Sequence, residues 1–169
     1  KKPAVEVVLT VLHAGGKFDK KNYQVSGGLH GVGISVVNAL SEWLNVKIKR
    51  DGKIHSQSFQ KGLTKTQLNS EGQTKETGTL IHFLPDKDIF ETTEFQYDIL
   101  INRIRELAYL NKGLKITLKD NRINKEKTYQ FKGGVKSFVR NINKKKTPLF
   151  EKPVYLEKSK GMLKLEVAI

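Results

Sequence analysis

Cysteine is absent from this chain of 169 residues, and arginine and acidic residues are scarce. The lack of cysteine excludes disulfides, catalysis by a thiolate and zinc sites built on cysteine ligands. The four histidines show no short metal-binding spacing such as His-Glu-x-x-His, so the sequence predicts no metal site. The 31 Lys and Arg residues, only five of them arginine, outnumber the 17 Asp and Glu residues. The chain is therefore strongly basic, with a formal net charge of +14.

Long apolar runs and targeting signals are missing as well. No run approaches the ~20 apolar residues that a membrane-spanning helix needs. Nothing resembles a signal peptide, so we expect a cytoplasmic protein without a membrane partner. The chain opens with Lys1, Lys2 and Pro3 instead of methionine and stops within a strand-like pattern. We therefore expect an internal segment of a longer protein.

Lysine supplies most of the positive charge, and its excess has two explanations. An AT-rich coding sequence favours lysine over arginine whatever the protein does. Alternatively, the lysines attract phosphate, in a nucleotide or in nucleic acid. Ten basic and three acidic residues lie from position 132 onward, which predicts a polyanion near the C-terminal part. Lysine provides a point charge without bidentate geometry, so the identity of that polyanion stays open.

The apolar pattern predicts an α+β layered domain, because strands are separated by isolated helices instead of alternating regularly with them. The strongest strand signal is a hairpin of residues 46–50 and 53–59 around Asp51-Gly52, a pair typical of type I′ turns. Further strands are predicted over residues 79–84, 114–119, 127–132, 154–157 and 163–169.

Four helices are predicted from apolar residues at helical spacing. The second helix carries its apolar stripe as far as Trp43 and Leu44, and the third opens on a capping-box pattern of Thr93 and Gln96. The predicted helices cover residues 3–14, residues 34–44, the segment from Thr93 through Ala108, and residues 135–143.

The glycine-rich stretch of residues 27–33 is the strongest candidate site. A glycine turn that enters a helix offers backbone N–H groups and the positive end of the helix dipole to phosphate. A plain tight turn explains the same composition equally well. Gly28, Gly31 and Gly33 give the spacing G-x-x-G-x-G, which matches neither the Rossmann fingerprint nor the P-loop.

Two longer motifs carry a family resemblance. H-A-G-G-K-F at residues 13–18, followed by Y-Q-V-S-G-G-L-H-G-V-G-I-S-V-V-N-A-L at residues 23–40, resembles the B subunits of bacterial DNA gyrase, in the GHKL ATPase superfamily. The resemblance continues through residues 75–79, 103–111 and 133–139. The B subunit of topoisomerase IV is similar over the first 45 residues, whereas residues 105–111 and 154–169 are more like gyrase.

The resemblance implies a fold and a domain division. Residues 1–134 would form the C-terminal part of a GHKL, Bergerat-type α/β sandwich, incomplete here, with its lid, glycine-rich phosphate loop and sheet. Residues 135–169 would begin a transducer domain, whose full form resembles the ribosomal S5 fold.

The resemblance also assigns binding roles. The loop of residues 28–33 would wrap the ATP triphosphate with its backbone, and Lys17 would reach a phosphate from the lid. Tyr23 would contact the base, Val8 would line the adenine pocket, and Thr79 would lie at the pocket floor. Each of these side chains also has an ordinary reading as lid surface, core or strand residue. The implied cofactor-binding residues are Val8, Gly16, Lys17, Tyr23, Gly28, Leu29, His30, Gly31, Val32, Gly33 and Thr79.

The chain lacks the family's catalytic groups. These are the Glu that activates water, the Asn one helical turn later that holds Mg²⁺, the D-x-G-x-G motif that reads adenine, and a lysine of the transducer domain. Asn38 and Glu42 have the i,i+4 spacing in reversed order on another helix, so we reject them as catalytic candidates. We therefore predict no catalytic residue and no metal ligand here, with Mg²⁺ held by a residue outside the chain. The chain alone is expected to be inactive.

The resemblance implies that the parent is an ATP-hydrolysing type IIA DNA topoisomerase. ATP would close a dimer of B subunits around a DNA duplex, and the A subunit of gyrase would cleave the DNA that the captured duplex passes through. The implied cofactors are ATP and Mg²⁺, and the implied partners are DNA, the gyrase A subunit and a second B subunit. There are three alternatives: the B subunit of topoisomerase IV, another GHKL member such as a sensor kinase or a MutL-type protein, and a basic nucleic-acid-binding module without a nucleotide role. The gyrase-like sequence outside the glycine loop argues against another GHKL member. The scarcity of arginine and the lack of a DNA-reading motif argue against the nucleic-acid-binding module.

Overall fold

The computed structural model describes residues 2–14, 30–161 and 163–169. The chain divides into two compact units, Lys1–Glu94 and Phe95–Ile169. Each unit combines helices with antiparallel strands, which confirms the predicted α+β class. The predicted change of domain at residues 134 and 135 falls within the second unit and stays a prediction.

The first unit places two helices on one face of a five-stranded antiparallel sheet. The elements are α1 (Ala4–Thr10), α2 (Gly33–Ala39), β1 (Ser41–Arg50), β2 (Lys53–Gln60), β3 (Leu63–Thr64), β4 (Asn69–Gln73) and β5 (Gly78–Pro85). Strand β1 lies between β2 and β5, and β2 also pairs with β3 and β4.

The hairpin of β1 and β2 confirms the turn prediction. Arg50 pairs with Lys53, and the two residues between them have positive φ angles, 52° at Asp51 and 77° at Gly52. A type I′ turn needs positive φ at both positions, which aspartate tolerates and glycine adopts without strain.

The core of this unit lies between the sheet and the helices. Leu44 and Val46 of β1, Phe59 of β2 and Leu9 of α1 are almost completely buried. Cross-strand partners share a face of the sheet, so the pairing of Leu44 with Phe59 places both under the helices. Partly buried residues complete this core: Val5, Ile34, Val37, Ile48, Ile81 and Phe83.

The second unit is built around one long helix. The aromatic ring of Tyr109 in this helix stacks on Phe131 at 3.6 Å and on Phe138 at 5.1 Å between centroids. These contacts hold a hairpin and a second helix against it. The elements are α3 (Tyr97–Leu110), β6 (Lys115–Asp120), β7 (Lys125–Gln130), α4 (Gly134–Ile142), β8 (Tyr155–Lys160) and β9 (Leu163–Ala168), with β6 paired to β7 and β8 to β9.

Two helix predictions for the first unit are wrong in their bounds. The helix predicted over residues 34–44 ends at Ala39, and Trp43 and Leu44 lie in strand β1. Pairing of β1 with two strands outweighs the helical spacing of a few apolar residues. The first helix ends at Thr10 instead of Ala14, because Val11 adopts an extended conformation, with φ −119° and ψ 128°.

The predicted capping box is also wrong. Helix α3 begins at Tyr97, and Gln96 precedes it without a side-chain cap. The Thr92 hydroxyl instead accepts a hydrogen bond from the backbone N–H of Glu94, a local turn that competes with helix initiation.

Candidate phosphate-binding site

The structure describes six of the eleven predicted binding residues. Val8 lies on α1, and Thr79 lies on β5. The other four form the turn that enters α2: His30, Gly31, Val32 and Gly33. Gly16, Lys17, Tyr23, Gly28 and Leu29 lie outside the described residues. We refer to residues 30–33 as the glycine turn.

The Val32 carbonyl anchors the glycine turn to α2. This oxygen accepts hydrogen bonds from the backbone N–H of Val36 at 2.9 Å and from the Ser35 hydroxyl at 3.0 Å. The first backbone N–H groups of a helix have no acceptor within the helix, so those in the first turn of α2 can donate hydrogen bonds to a group outside it. Backbone donors of this kind can hold phosphate oxygens.

The two glycines of the turn differ in what the fold requires. Gly31 has a φ of 64°, a conformation that costs a residue with a side chain about 1–2 kcal/mol. Gly33 lies outside this left-handed region. Apart from its chain neighbours and its own helix, no described atom lies within 4 Å of the position that a Cβ there would occupy. The described residues therefore give a reason for glycine at position 31 but none at position 33.

Two hydrogen bonds join the α1 segment to α2 and its preceding turn. The Asn38 amide donates to the Leu9 carbonyl at 3.0 Å, and Asn38 is completely buried. The His13 ring lies with Nδ1 at 2.7 Å from the His30 carbonyl, which can only accept, so Nδ1 carries the proton. Val8 precedes Leu9, so these bonds tie its helix to the glycine turn.

Thr79 lies on the helix-facing side of the sheet. It pairs with Ile48 of β1. It lies on the same face of β5 as Ile81 and Phe83, two and four residues further on, whose side chains pack into the core. Thr79 itself is exposed, one step beyond this core. The structure thus places Val8, the glycine turn and Thr79 on the same side of the sheet, while their contact with a nucleotide stays a prediction.

A buried carboxylate near the end of β5 was missed by sequence reasoning. Asp86 is only 2% exposed and lies 3.1 Å from the Lys61 ammonium. The backbone N–H of Asp88, and then Lys61, lower the pKa of Asp86 below its ordinary value. The backbone N–H of Asp86 also donates to the Leu40 carbonyl just after α2. The network therefore fixes the end of β5 beside the end of α2.

Catalytic and metal-binding groups were not expected in this chain. Asn38 and Glu42 lie on different elements, α2 and β1, so they share no helix face. Within residues 2–14, 30–161 and 163–169, no group of three or more acidic or histidine side chains is placed to hold a metal ion. In the same part of the chain, no helix is long and apolar enough to cross a membrane.

Comparison with known proteins identifies close relatives, although no protein-family model matches the chain. The DNA gyrase B subunit of Archaeoglobus fulgidus is 55% identical over 172 residues, and that of Staphylococcus epidermidis is 52% identical over 171 residues. Each alignment covers 99% of this chain and 27% of the relative. The chain therefore spans about a quarter of the length of the curated relatives it matches.

A solved structure shows the same fold. The crystal structure of the 43K ATPase domain of Thermus thermophilus gyrase B, in complex with an aminocoumarin, superimposes with a TM-score of 0.80 and 37% identity. The match covers 99% of this chain and 42% of that one, which confirms the predicted GHKL fold. The relatives named are gyrase subunits, which favours gyrase over topoisomerase IV. Identity along the whole chain and a shared fold together place this chain in the family of DNA gyrase B subunits, in the region of their ATPase domain.

Proposed function

We propose that this chain supplies the phosphate-binding turn and part of the adenine pocket of an ATP-binding site in a gyrase ATPase domain. The observation that carries the proposal is that Val8, the glycine turn and Thr79 lie on the same side of the sheet in a chain that shares the fold of a gyrase B ATPase domain. Gly33 agrees with the proposal, because its backbone is not left-handed and no described atom beyond its neighbours and its own helix lies within 4 Å of its Cβ position. Phosphate bound in this space would favour glycine there.

The contacts proposed for the described residues follow from their positions, and those proposed for Gly16, Lys17, Tyr23, Gly28 and Leu29 follow from the family resemblance alone. The backbone N–H groups of the glycine turn and the first turn of α2 would hold phosphate oxygens, continuing the loop that starts at Gly28. Val8 would bound the adenine side, and Thr79 would lie at the floor of the pocket. Lys17 would contribute a phosphate contact and Tyr23 a base contact, and Gly16 and Leu29 would also belong to the binding site.

The chain's own residues bind and orient; they do not activate water. General-base catalysis is worth about 10²–10⁴-fold in rate, and this chain holds neither the glutamate nor the Mg²⁺ ligand that the resemblance requires. Bound ATP would supply the phosphoanhydride bond to be cleaved. The chemistry of cleavage therefore depends on residues from outside this chain.

We further propose that the whole protein is an ATP-driven type IIA topoisomerase of the gyrase type, working in the cytoplasm. Its partners would be DNA, the gyrase A subunit and a second B subunit. ATP binding by two B subunits would close the gate that captures a DNA duplex. Hydrolysis, with Mg²⁺ held outside this chain, would reset the gate, and passage of the duplex would introduce negative supercoils.

A hybrid protein tests this proposal. In the gyrase B subunit of Staphylococcus epidermidis, this chain replaces the segment to which it aligns, 27% of that subunit; we call the product the hybrid protein. We expect it to bind ATP and to hydrolyse it in the presence of Mg²⁺. A correctly folded hybrid protein that binds no ATP would overturn the proposal. A basic nucleic-acid-binding module would instead bind DNA with a steep salt dependence and ignore ATP.

A further inference from the structure

Helix α2 packs Ile34 and Val37 against the core and buries two polar side chains as well. Ser35 is 5% exposed and Asn38 is fully buried, whereas Val36 is 39% exposed. Polar residues normally lie on the solvent side of a helix that packs on a core. Asn38, which is the larger of the two buried polar residues, therefore needs a specific explanation.

Asn38 makes one hydrogen bond and leaves one polar atom without a partner. Its Nδ2 donates to the Leu9 carbonyl at 3.0 Å, in the last turn of α1, where the carbonyl groups receive no N–H from their own helix. Its Oδ1 is buried and has no hydrogen-bond partner among the described residues. An unpaired buried oxygen lowers stability, so stability alone does not account for asparagine here.

The bond from Asn38 joins the two elements that the nucleotide would have to contact together. Leu9 directly follows Val8, on the proposed adenine side. Asn38 lies in the helix that begins at Gly33, on the proposed phosphate side. The contact from His13 to the His30 carbonyl makes a second link at the other end of α2. Val8 and the glycine turn are therefore fixed to each other from both ends of one short helix.

We propose that Asn38 is a positioning residue for ATP: it sets the distance between Val8 and the glycine turn so that one nucleotide contacts both. This inference rests on the proposed function. A ligand that contacts both sides gains from their fixed spacing, because its second contact is intramolecular. A ligand that contacts one side alone, such as adenosine or inorganic tripolyphosphate, gains nothing from that spacing.

The test replaces the asparagine by a side chain of similar volume without a donor, Asn38→Leu, in the hybrid protein. Calorimetric titration measures the affinity for a non-hydrolysable ATP analogue, adenosine and inorganic tripolyphosphate. We expect the analogue to bind about tenfold or more weakly, and the two smaller probes to change less than about threefold. This selective loss is a readout that a general loss of stability does not produce.

Gln57→Leu is the matched control. Gln57 is also a buried amide, 2% exposed, and its Oε1 has no hydrogen-bond partner among the described residues. Its Nε2 donates to Glu6 of α1 and to the Thr66 carbonyl, so it joins α1 to the sheet and not to α2. We expect this variant to keep the affinity of the unmodified hybrid protein for all three probes. Equal affinity for the analogue in Asn38→Leu and the unmodified hybrid protein would overturn the inference. Parallel weakening of all three probes, or failure of Asn38→Leu to fold while Gln57→Leu folds, would also overturn it.

A second measurement uses the 169-residue chain itself and needs no nucleotide. If Asn38 holds α2 and the glycine turn in place, Asn38→Leu should speed amide hydrogen exchange by about tenfold at Val36, whose N–H donates to the Val32 carbonyl of the turn, and at Leu40, whose N–H donates to the Val36 carbonyl, and should leave Val46 and Phe59 unchanged. Unchanged exchange at Val36 and Leu40 would overturn the inference. This result separates the two claims: if the hybrid protein binds no ATP, the proposed function fails, whereas the exchange experiment still decides whether Asn38 positions the turn.

Discussion

Replacement of Gly33 by alanine separates the requirements of the fold from those of a ligand. A Cβ at this position meets no described atom within 4 Å beyond its neighbours and its own helix, and the backbone there is not left-handed. Gly31 cannot make this distinction, because its φ of 64° strains any side chain whether or not phosphate binds. Gly33→Ala therefore changes the space in front of α2 and little else.

The two expected effects have opposite signs. Alanine restricts the unfolded chain more than glycine does, which stabilises the fold by about 0.4–1 kcal/mol where the native backbone accepts it and raises the melting temperature of a chain of this size by up to about 2–4 °C. A methyl group in front of α2 displaces phosphate from a backbone donor. Loss of one hydrogen bond to a charged group costs about 1.5–3 kcal/mol, so affinity falls about 10–100-fold.

Thermal unfolding of the 169-residue chain measures the effect on stability, and calorimetric titration of a non-hydrolysable ATP analogue into the hybrid protein measures the effect on affinity. Gly72→Ala is the control, because Gly72 on strand β4 also has no described atom within 4 Å of its Cβ position. This control should leave the affinity for the analogue unchanged. If Gly33→Ala is as stable as expected and binds the analogue as tightly as the unmodified protein, the glycine turn does not hold phosphate.

Three further predictions concern stability and activity. Phe59→Ala, at a side chain with no exposure, should lower the free energy of unfolding by about 3–5 kcal/mol in urea, whereas Leu63→Ala, at 74% exposure, should change it by less than about 0.5 kcal/mol. The pKa of Asp86 is lower in the folded chain than its ordinary value of 3.8, so its carboxylate stabilises the fold above pH 3.8, and this stabilisation is lost as the pH falls through the pKa of the folded state. The urea midpoints of the unmodified chain and of Asp86→Asn should therefore differ at neutral pH and converge in acid. A difference that does not change with pH would refute this. The 169-residue chain alone should release no phosphate from ATP and Mg²⁺ above the buffer rate, and turnover by the pure chain would contradict the assignment of water activation to residues outside it.

Local turn chemistry predicts the strands better than the helices. The Asp51-Gly52 pair fixes the register of β1 and β2, because it favours the tight turn that joins them. Pro85 marks the end of β5, because proline has no backbone N–H to donate to a neighbouring strand. The extension of the second helix to Leu44 fails because its helical spacing also fits a strand. Leu44, Val46 and Ile48 alternate onto one face, and pairing with β2 and β5 decides the outcome.

The candidate site also has features that the sequence predicts and features that only the folded chain shows. The glycines and their spacing are visible in the sequence, and the family resemblance predicts their role. The left-handed φ of Gly31 and the empty space at Gly33 are properties of the folded turn. The buried bond from Asn38 to Leu9 joins residues 29 positions apart, and no local pattern marks it. Such contacts depend on the packing of helices, which a single sequence does not specify.

Amide hydrogen exchange of the hybrid protein, with and without a non-hydrolysable ATP analogue, tests most directly whether the glycine turn holds phosphate. We expect the analogue to slow exchange at residues 31–35, where the backbone N–H groups would donate to phosphate, and to leave the hairpin of β6 and β7 unchanged. Tight binding of the analogue without protection of residues 31–35 would contradict the proposed function, because the phosphate would then be held elsewhere.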